Sequence, residues 1–456
     1  GLTLRFNGLT AADWPAHARF LATLRNELQK HGLLLQHSVQ MAHSGMDAVA
    51  LAGLVDVVIV EAYGGTISTD VPGPLAAQDW FETNMADWIA AVPAEKLVVS
   101  LVNQALDWGA TASAERLSVL DALTRAKQAK AEVALDPVAL NTRFSYQAAD
   151  GSAHVVWMLD AVSAFNQIRA VASHGLRGVA LNRLGTEDAS LWDVISSPGF
   201  SDFSALATVD FSYQIARNGK GEVIRLVAVP KIGSRSLRVE GDRVTAADFD
   251  VLPQAYEIDH WGADEPGYVA LTFDDGPDPL YTPQVLDILA RYGVPATFFT
   301  VGGQMMRHPH LVERMIAEGH EVGSHTYSHV NISTMSPEML RLDLNATQRV
   351  FESITGRNMA MFRAPYSVDA NPRTPAEIAP LATVGSLGYI TVNMNVDPKD
   401  WWVPNADRIA RDTIRGIENG DGNVILLHDA GGPREATIEA LPRIIEELQA
   451  RGFKFV

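Results

Sequence analysis

Along the second half of the chain, short apolar runs alternate with amphipathic stretches and polar loops. From about Gly267 onward the runs YVALTF, ATFFTV, HEVGS, MAMF, YITVNMNV, NVILL and FKFV read as strands. Between them TPQVLDILARYG, PHLVERMIAEG and SPEMLRLDLNATQRVFESITG read as helices. Ser336 and Pro337 supply an N-cap and a first-turn proline, and Gly356 supplies a stop. Strand and helix alternating at this spacing imply a parallel sheet, and about seven repeats imply a barrel with its chemistry at the C-terminal ends of the strands.

Residues 1–198 alternate in the same way with wider gaps, through the candidate strands LTLRF, LLLQHSVQ, VDVVIV, KLVVSLVN and LRGVALN. These fall short of the roughly eight strands of a closed barrel. The expectation is a partial TIM-barrel-like α/β domain. Residues 199–265 change period: FSYQIARNGKGEVIRLVAV and SLRVEGDRV alternate apolar and polar positions around a Gly-Lys-Gly turn. They predict a small β-rich module linking two α/β domains, the second covering 266–456.

Composition narrows the function. A chain of 456 residues holds two or three full cores. The formal net charge of -18 argues against nucleic acid, whose binders carry a basic face. There are no cysteines, so disulfides and thiolate sites are excluded and any metal must use His, Asp or Glu. The stretch nearest to a membrane span, LAGLVDVVIVEAYG, is broken by Asp56 and Glu61, so no membrane segment is expected. The chain begins GLTLRFNG, with neither methionine nor a signal region, which suggests a processed or excised form of something longer.

Chemistry gathers after residue 270. LTFDDGPDP, alone, reads as a turn, because Asp bonds its own backbone and Gly and Pro set the dihedrals. Yet an ionisable residue ends one apolar run after another: Asp274 and Asp275, then His325, Arg363, Asp397 and His428. The barrel puts all of them on one rim, which makes a site of them. His325 and His329 have i, i+4 spacing, which predicts both imidazoles on one side of a single helical turn. Thr326 stands where the zinc-protease helix motif needs Glu, so a protease reading lacks its base. Two histidines and one aspartate leave coordination positions open for water and substrate, and the other aspartate stays free as a base.

These residues resemble the polysaccharide deacetylases of carbohydrate esterase family 4, the NodB-homology family. Its five motifs occur in order: TFDDG at 272–276, HTYSH at 325–329, RAPY at 363–366, DPKDW at 397–401 and LLH at 426–428. The resemblance implies a distorted (β/α) barrel over 266–456 and metal-dependent hydrolysis of N-acetyl groups from an acetylated glycan: chitin-like, poly-N-acetylglucosamine or peptidoglycan. It implies that Asp275, His325 and His329 hold one divalent ion, zinc in the first place, with cobalt, nickel or other divalent ions as alternatives. Asp274 would be the general base, oriented by Arg363. The backbone N–H of Tyr366 would stabilise the oxyanion with the ion. His428 would protonate the leaving amine, held by Asp400, with Asp397 the competing candidate for that role. Trp401 would wall the sugar, with core packing as its alternative; Leu426 would line the acetyl pocket, and Tyr366 and Asp397 would touch substrate. Ser367 stands where the family commonly has glycine, which bears on the groove loop and removes no catalytic group. Family company implies an extracytoplasmic or cell-surface location.

Residues 1–198 resemble the glycoside hydrolase family 18 barrel through GLTLRFNGL, EAYGG with PGPLAAQDWF, and GVALNRLGTEDASLW. Asn7 takes the place of the acid glutamate and Arg5 that of the preceding aspartate. The usual Tyr-Asp pair reads Tyr63-Gly64, and the last-strand tryptophan reads Asn182. An amide cannot donate the proton that glycoside hydrolysis requires, so this barrel is expected to be non-hydrolytic. It would serve either as a glycan-binding surface using Tyr63 and Trp108 or as a structural neighbour. For the whole chain the alternatives are a catalytically silent glycan-binding protein and an O-acetyl esterase.

Overall fold

The structure, a computed structural model, describes residues 1–6, 8–42, 47–63, 71–109, 113–262 and 265–456. It forms two compact units, Gly1–Ser212 with Pro230–Gln254, and Tyr213–Val229 with Ala255–Val456.

In the first unit, five parallel strands pair in chain order: β1 (Leu2–Arg5), β2 (Leu35–Gln40), β3 (Val57–Glu61), β4 (Leu97–Val102) and β5 (Gly178–Asn182). They are the strands expected from the apolar runs. Helices Trp14–Gln29, Gln78–Ala91 and Ala161–Ala172 pack Leu21, Phe81 and Phe165 into one core with Val58, Val60, Val99 and Leu101. A second, antiparallel sheet was not expected. It has eight strands, among them the hairpin Thr142–Gln147 and Ala153–Met158 turned at Asp150-Gly151. Asn7 and Gly64 lie outside the described residues. Trp108, weighed above as a glycan surface, is only 6% exposed and packs with Leu75, Leu106 and Trp157, so it offers no face to a sugar. Tyr63 is half-buried and its hydroxyl accepts from the Asn182 amide.

Residues 199–265 do not form a sheet of their own. The hairpin Gly233–Glu240 with Arg243–Val251 joins the eight-stranded sheet of the first unit. Its Arg235 is fully buried there, 3.0 Å from Asp188, 3.3 Å from Asp160 and donating to Ser190 Oγ at 2.8 Å. The flanking strands belong to the second unit: β6 (Ile215–Gly219), β7 (Val223–Ala228) and β8 (Tyr256–Trp261). The Gly-Lys-Gly turn does not close a hairpin, because β8 lies between β6 and β7, parallel to the first and antiparallel to the second.

The rest of the second unit follows the predicted alternation. Its strands are β9 (Tyr268–Asp274), β10 (Thr297–Thr300), β11 (Glu321–Ser324), β12 (Met361–Phe362), β13 (Ile390–Val392), β14 (Val424–His428) and β15 (Lys454–Phe455). β14, β9, β10, β11, β12 and β13 lie side by side in parallel. Past β13 the chain returns to the other end of this row, where Val396 bridges Ile425 of β14 in parallel, so six strands come round to meet. β15 lies off this path against the start of β9. Alternation along β9 divides its labour. Val269, Leu271 and Phe273 enter the core with Leu286, Ile409 and Leu441 from the surrounding helices, whereas Thr272 and Asp274 face Arg363. Helix Pro337–Thr355 begins at Ser336, whose Oγ accepts from Met339 N–H at 3.3 Å, and ends at Gly356 with φ +67°, the left-handed conformation a helix stop favours.

Candidate active site

The C-terminal ends of these strands bring the motif residues together. β9 ends at Asp274, and Asp275 leaves the strand with φ +79°, so two adjacent carboxylates turn to one site instead of to opposite faces. This conformation leaves no room beside it. A Cβ on Gly431, itself at φ +76°, would come within 2.3 Å of Asp275 Oδ2.

Asp275 Oδ1 lies 2.9 Å from His329 Nε2 and 3.5 Å from His325 Nε2. One donor atom from each of the three residues lies within 4.8 Å of the others, which fits the donor set of a single small cation. His325 is fixed for that role. Its Nδ1 faces the Arg363 carbonyl at 2.8 Å, and since a carbonyl only accepts, Nδ1 carries a proton and Nε2 is the ring nitrogen turned toward Asp275. Burial opposes the charge on Asp275, but hydrogen bonds from His325 and His329 and the charges of His325 and His428 outweigh it and hold the carboxyl well below the usual carboxylate range. The same hydrogen bond raises the pKa of His329, against the effect of burial.

The two histidines do not sit on a helical turn. Thr326 and His329 have φ +65° and +53°, so 325–329 is an irregular loop. Asp343, on the buried side of helix Pro337–Thr355, holds it: its carboxylate accepts from Tyr327 N–H at 2.6 Å and Ser328 Oγ at 2.5 Å. Thr326 Oγ1 accepts from His329 N–H at 3.0 Å. Asp343 was not singled out in the sequence, although a carboxylate in the apolar series Leu340, Leu344, Phe351 was a readable signal.

Asp274 is buried and accepts from Arg363 Nη1 at 2.9 Å. Arg363 is itself fully buried, donating also to Thr272 Oγ1 at 2.7 Å, Val392 O at 3.0 Å and Asn393 O at 2.9 Å, with its guanidinium 4.1 Å from the Phe299 ring centre. A guanidinium bonded on every side cannot swing, so the carboxylate it holds is fixed in orientation.

On the neighbouring strand His428 Nδ1 donates to Asp400 Oδ1 at 2.8 Å. Asp400 Oδ2 accepts from the His428 N–H and from Thr437 Oγ1, both at 2.9 Å. Burial alone would lower the pKa of His428, but the Asp400 hydrogen bond and the charges of Asp400, Asp274 and Asp275 push it up to about 9. Asp400 is thus the partner of His428. Asp397 instead accepts from Lys399 N–H at 2.7 Å and shapes the turn. Asp429, buried beside the site, is pushed up to about 7 by burial, against a hydrogen bond from Thr282.

The exposed ring of Tyr366 stands 5.0 Å from that of His329, and its backbone has φ +62°. Trp401 is half-exposed, which removes the core-packing alternative, and Leu426 is buried in β14. Among the described residues, six of the nine non-glycine residues with positive φ are Asp275, Thr326, His329, Tyr366, Ser367 and Lys399. Backbone strain of this kind concentrates where a site must hold a geometry.

The polysaccharide deacetylase family profile matches residues 262–382. Over 192 residues the chain is 40% identical to a peptidoglycan-N-acetylglucosamine deacetylase of Bacillus cereus, covering 41% of this chain and 84% of that one. Over 198 residues it is 37% identical to a chitooligosaccharide deacetylase of Bradyrhizobium sp., covering 41% and 86%. Among solved structures, the peptidoglycan deacetylase PdaC from Bacillus subtilis is 33% identical with a TM-score of 0.37, over 42% of this chain and 87% of that one. The chain belongs to the polysaccharide deacetylase family, a class of hydrolases acting on N-acetyl amide bonds.

Proposed function

We propose that the second unit removes N-acetyl groups from an N-acetylglucosamine-containing polysaccharide and releases acetate. What carries this reading is the convergence of three groups on one rim: the Asp275/His325/His329 donor set, a carboxylate oriented by a buried arginine, and an imidazole held by a buried carboxylate. Asp275, His325 and His329 would hold one divalent ion, and nitrogen and oxygen donors without thiolate suit zinc first, then cobalt or nickel. Such an ion, when bound, acidifies water and polarises the acetamide carbonyl. Asp274, fixed by Arg363, accepts the proton of the attacking water. The backbone N–H of Tyr366 serves the oxyanion. Asp400 occupies Nδ1 of His428, so Nε2 is left to deliver a proton to the departing amine, which without one leaves poorly. Tyr366 and Trp401 offer faces to the sugar, Leu426 lines the acetyl pocket, and Asp397 forms the turn beside it.

The relatives named above act on peptidoglycan N-acetylglucosamine and on chitooligosaccharides, whose common unit is N-acetylglucosamine. That unit defines the proposed substrate class. For residues 1–198 we propose a non-hydrolytic, partial family 18-like barrel. In support, Arg5 stands at an expected acid position, ion-paired with the buried Glu61 at 2.7 Å, and Asn182 stands at the tryptophan position. The resemblance also suggests an extracytoplasmic site of action.

The test is acetate release from chito-oligosaccharides by metal-loaded protein, chelated protein and His329→Ala, with acetylated xylan alongside. Release that needs both metal and His329 is the expected result. Release from xylan alone would mean an O-acetyl esterase, and metal uptake without release from either would mean a silent glycan-binding protein.

A further inference from the structure

Between Asp397 and Val403 the chain makes a tight reversal. Lys399 takes φ +59°, and Trp402 and Val403 N–H both donate to its carbonyl at 2.9 Å. Two residues pin this reversal inside the unit: Asp400 reaches His428 and Thr437, and Val403 enters the core with Ile409 and Leu441. The two residues between them are turned outward, Trp401 50% exposed and Trp402 75% exposed. Their ring centres lie 6.4 Å apart at 56°, so the indoles present two differently tilted faces. A tryptophan this exposed forgoes most of the stabilisation its apolar area would gain in a core. Held on a pinned turn, it can receive a ligand with little further ordering of the backbone.

We infer that Trp402 is a second sugar platform, which takes the residue next to the one being deacetylated and makes the enzyme favour a polymer over a short glycan. The inference rests on the deacetylase reading above. Family resemblance reaches Trp401 and stops there; Trp402 is assigned from its place in this chain. The turn that presents it also carries Asp400, so a glycan with one sugar beside His428 passes the indoles. A flat, uncharged indole suits the C–H face of a pyranose, and its π-face attracts the ammonium that deacetylation exposes on a neighbouring sugar. The net charge of -18 favours the same neutral or cationic chain over an acidic ligand.

The experiment compares the metal-loaded protein with Trp402→Ala and Trp402→Phe on the monosaccharide N-acetylglucosamine and on chitohexaose. For Trp402→Ala the KM for chitohexaose rises about tenfold, the size of one aromatic contact, with kcat and the N-acetylglucosamine KM within about twofold. Trp402→Phe, which keeps a ring face, recovers most of the difference. An unchanged chitohexaose KM, or an equal loss at both lengths, overturns the inference and leaves the deacetylase reading intact. Should the native protein release no acetate at either length, it is the deacetylase reading that fails. Calorimetric titration of chitohexaose into the native protein and Trp402→Ala then decides the platform by itself: about tenfold weaker binding in the variant supports it, and equal or absent binding overturns it.

Discussion

His428 shows how neighbours decide what one imidazole can do. Buried without company it would stay neutral at physiological pH, because a low-dielectric site disfavours the cation. Asp400, bonded to Nδ1, and the charges of Asp274 and Asp275 reverse this and push the pKa up to about 9. A proton on His428 is what the departing amine needs, so turnover should hold below that value and fall as pH rises through it. A bound cation opposes the contribution of Asp275, which sets the limb of the loaded enzyme at or below about 9. Replacing Asp400 by Asn removes the largest of the raising causes, so the pKa of His428 falls. We therefore expect the alkaline limb of kcat/KM for Asp400→Asn to move toward acid, with lower activity above neutrality, while the affinity for metal is unchanged. A pH–rate profile of the two proteins beside a metal titration checks this, and an unmoved limb would take the acid role away from His428.

At the scale of elements, the contrast is between runs and loops. The parallel strands and the helix from Ser336 to Gly356 were legible because apolar periodicity, caps and stops act over a few residues and are written there. Asp274, His325, Arg363 and His428 were legible because each ends an apolar run, whereas Asp400 and Tyr366 stand within polar loops and entered only through the family resemblance. The shape of 325–329 was not legible, because i, i+4 spacing suits a helical turn and nothing within the motif says that Asp343, on the helix that follows, will bond Tyr327 N–H and Ser328 Oγ. The missed hairpin at Asp150-Gly151 did carry a turn signal, but short strands in an antiparallel sheet give weak patterns. Asp343 supplies a prediction. Its carboxylate shapes the loop that presents His325 and His329 without belonging to the donor set, so Asp343→Ala should weaken metal affinity by about 10–100-fold, the usual cost of losing support behind a ligand. Competition with a chromophoric chelator measures it, and circular dichroism should show the helices retained. Native affinity in the variant would mean that Thr326 and the backbone alone hold the loop.

For the molecule as a whole, the informative stretch is 199–265. Read along the chain, it alternates like one β module. In space it is dealt out to both units, because sheet edges select strands by register and partner, and sequence alternation names neither. One tie of Gly233–Val251 to the first unit is Arg235, buried against Asp160 and Asp188 from a distant part of the sequence. Burial, ahead of the opposing charge of Arg235, already raises the pKa of Asp160. Arg235→Ala would leave two buried carboxylates with no cation, and removing one partner of such a group costs about 3–5 kcal/mol. The pH dependence has a definite sign. A carboxyl whose folded pKa lies above its unfolded value takes up a proton on folding, so its contribution is most favourable at low pH and is lost as pH rises. The deficit of Arg235→Ala should therefore be smaller near pH 4 than near pH 8, as measured by denaturant unfolding of the two proteins at both values. A deficit independent of pH would show that Arg235 acts through packing and its bond to Ser190, and that the two aspartates are not the reason the hairpin belongs to this unit.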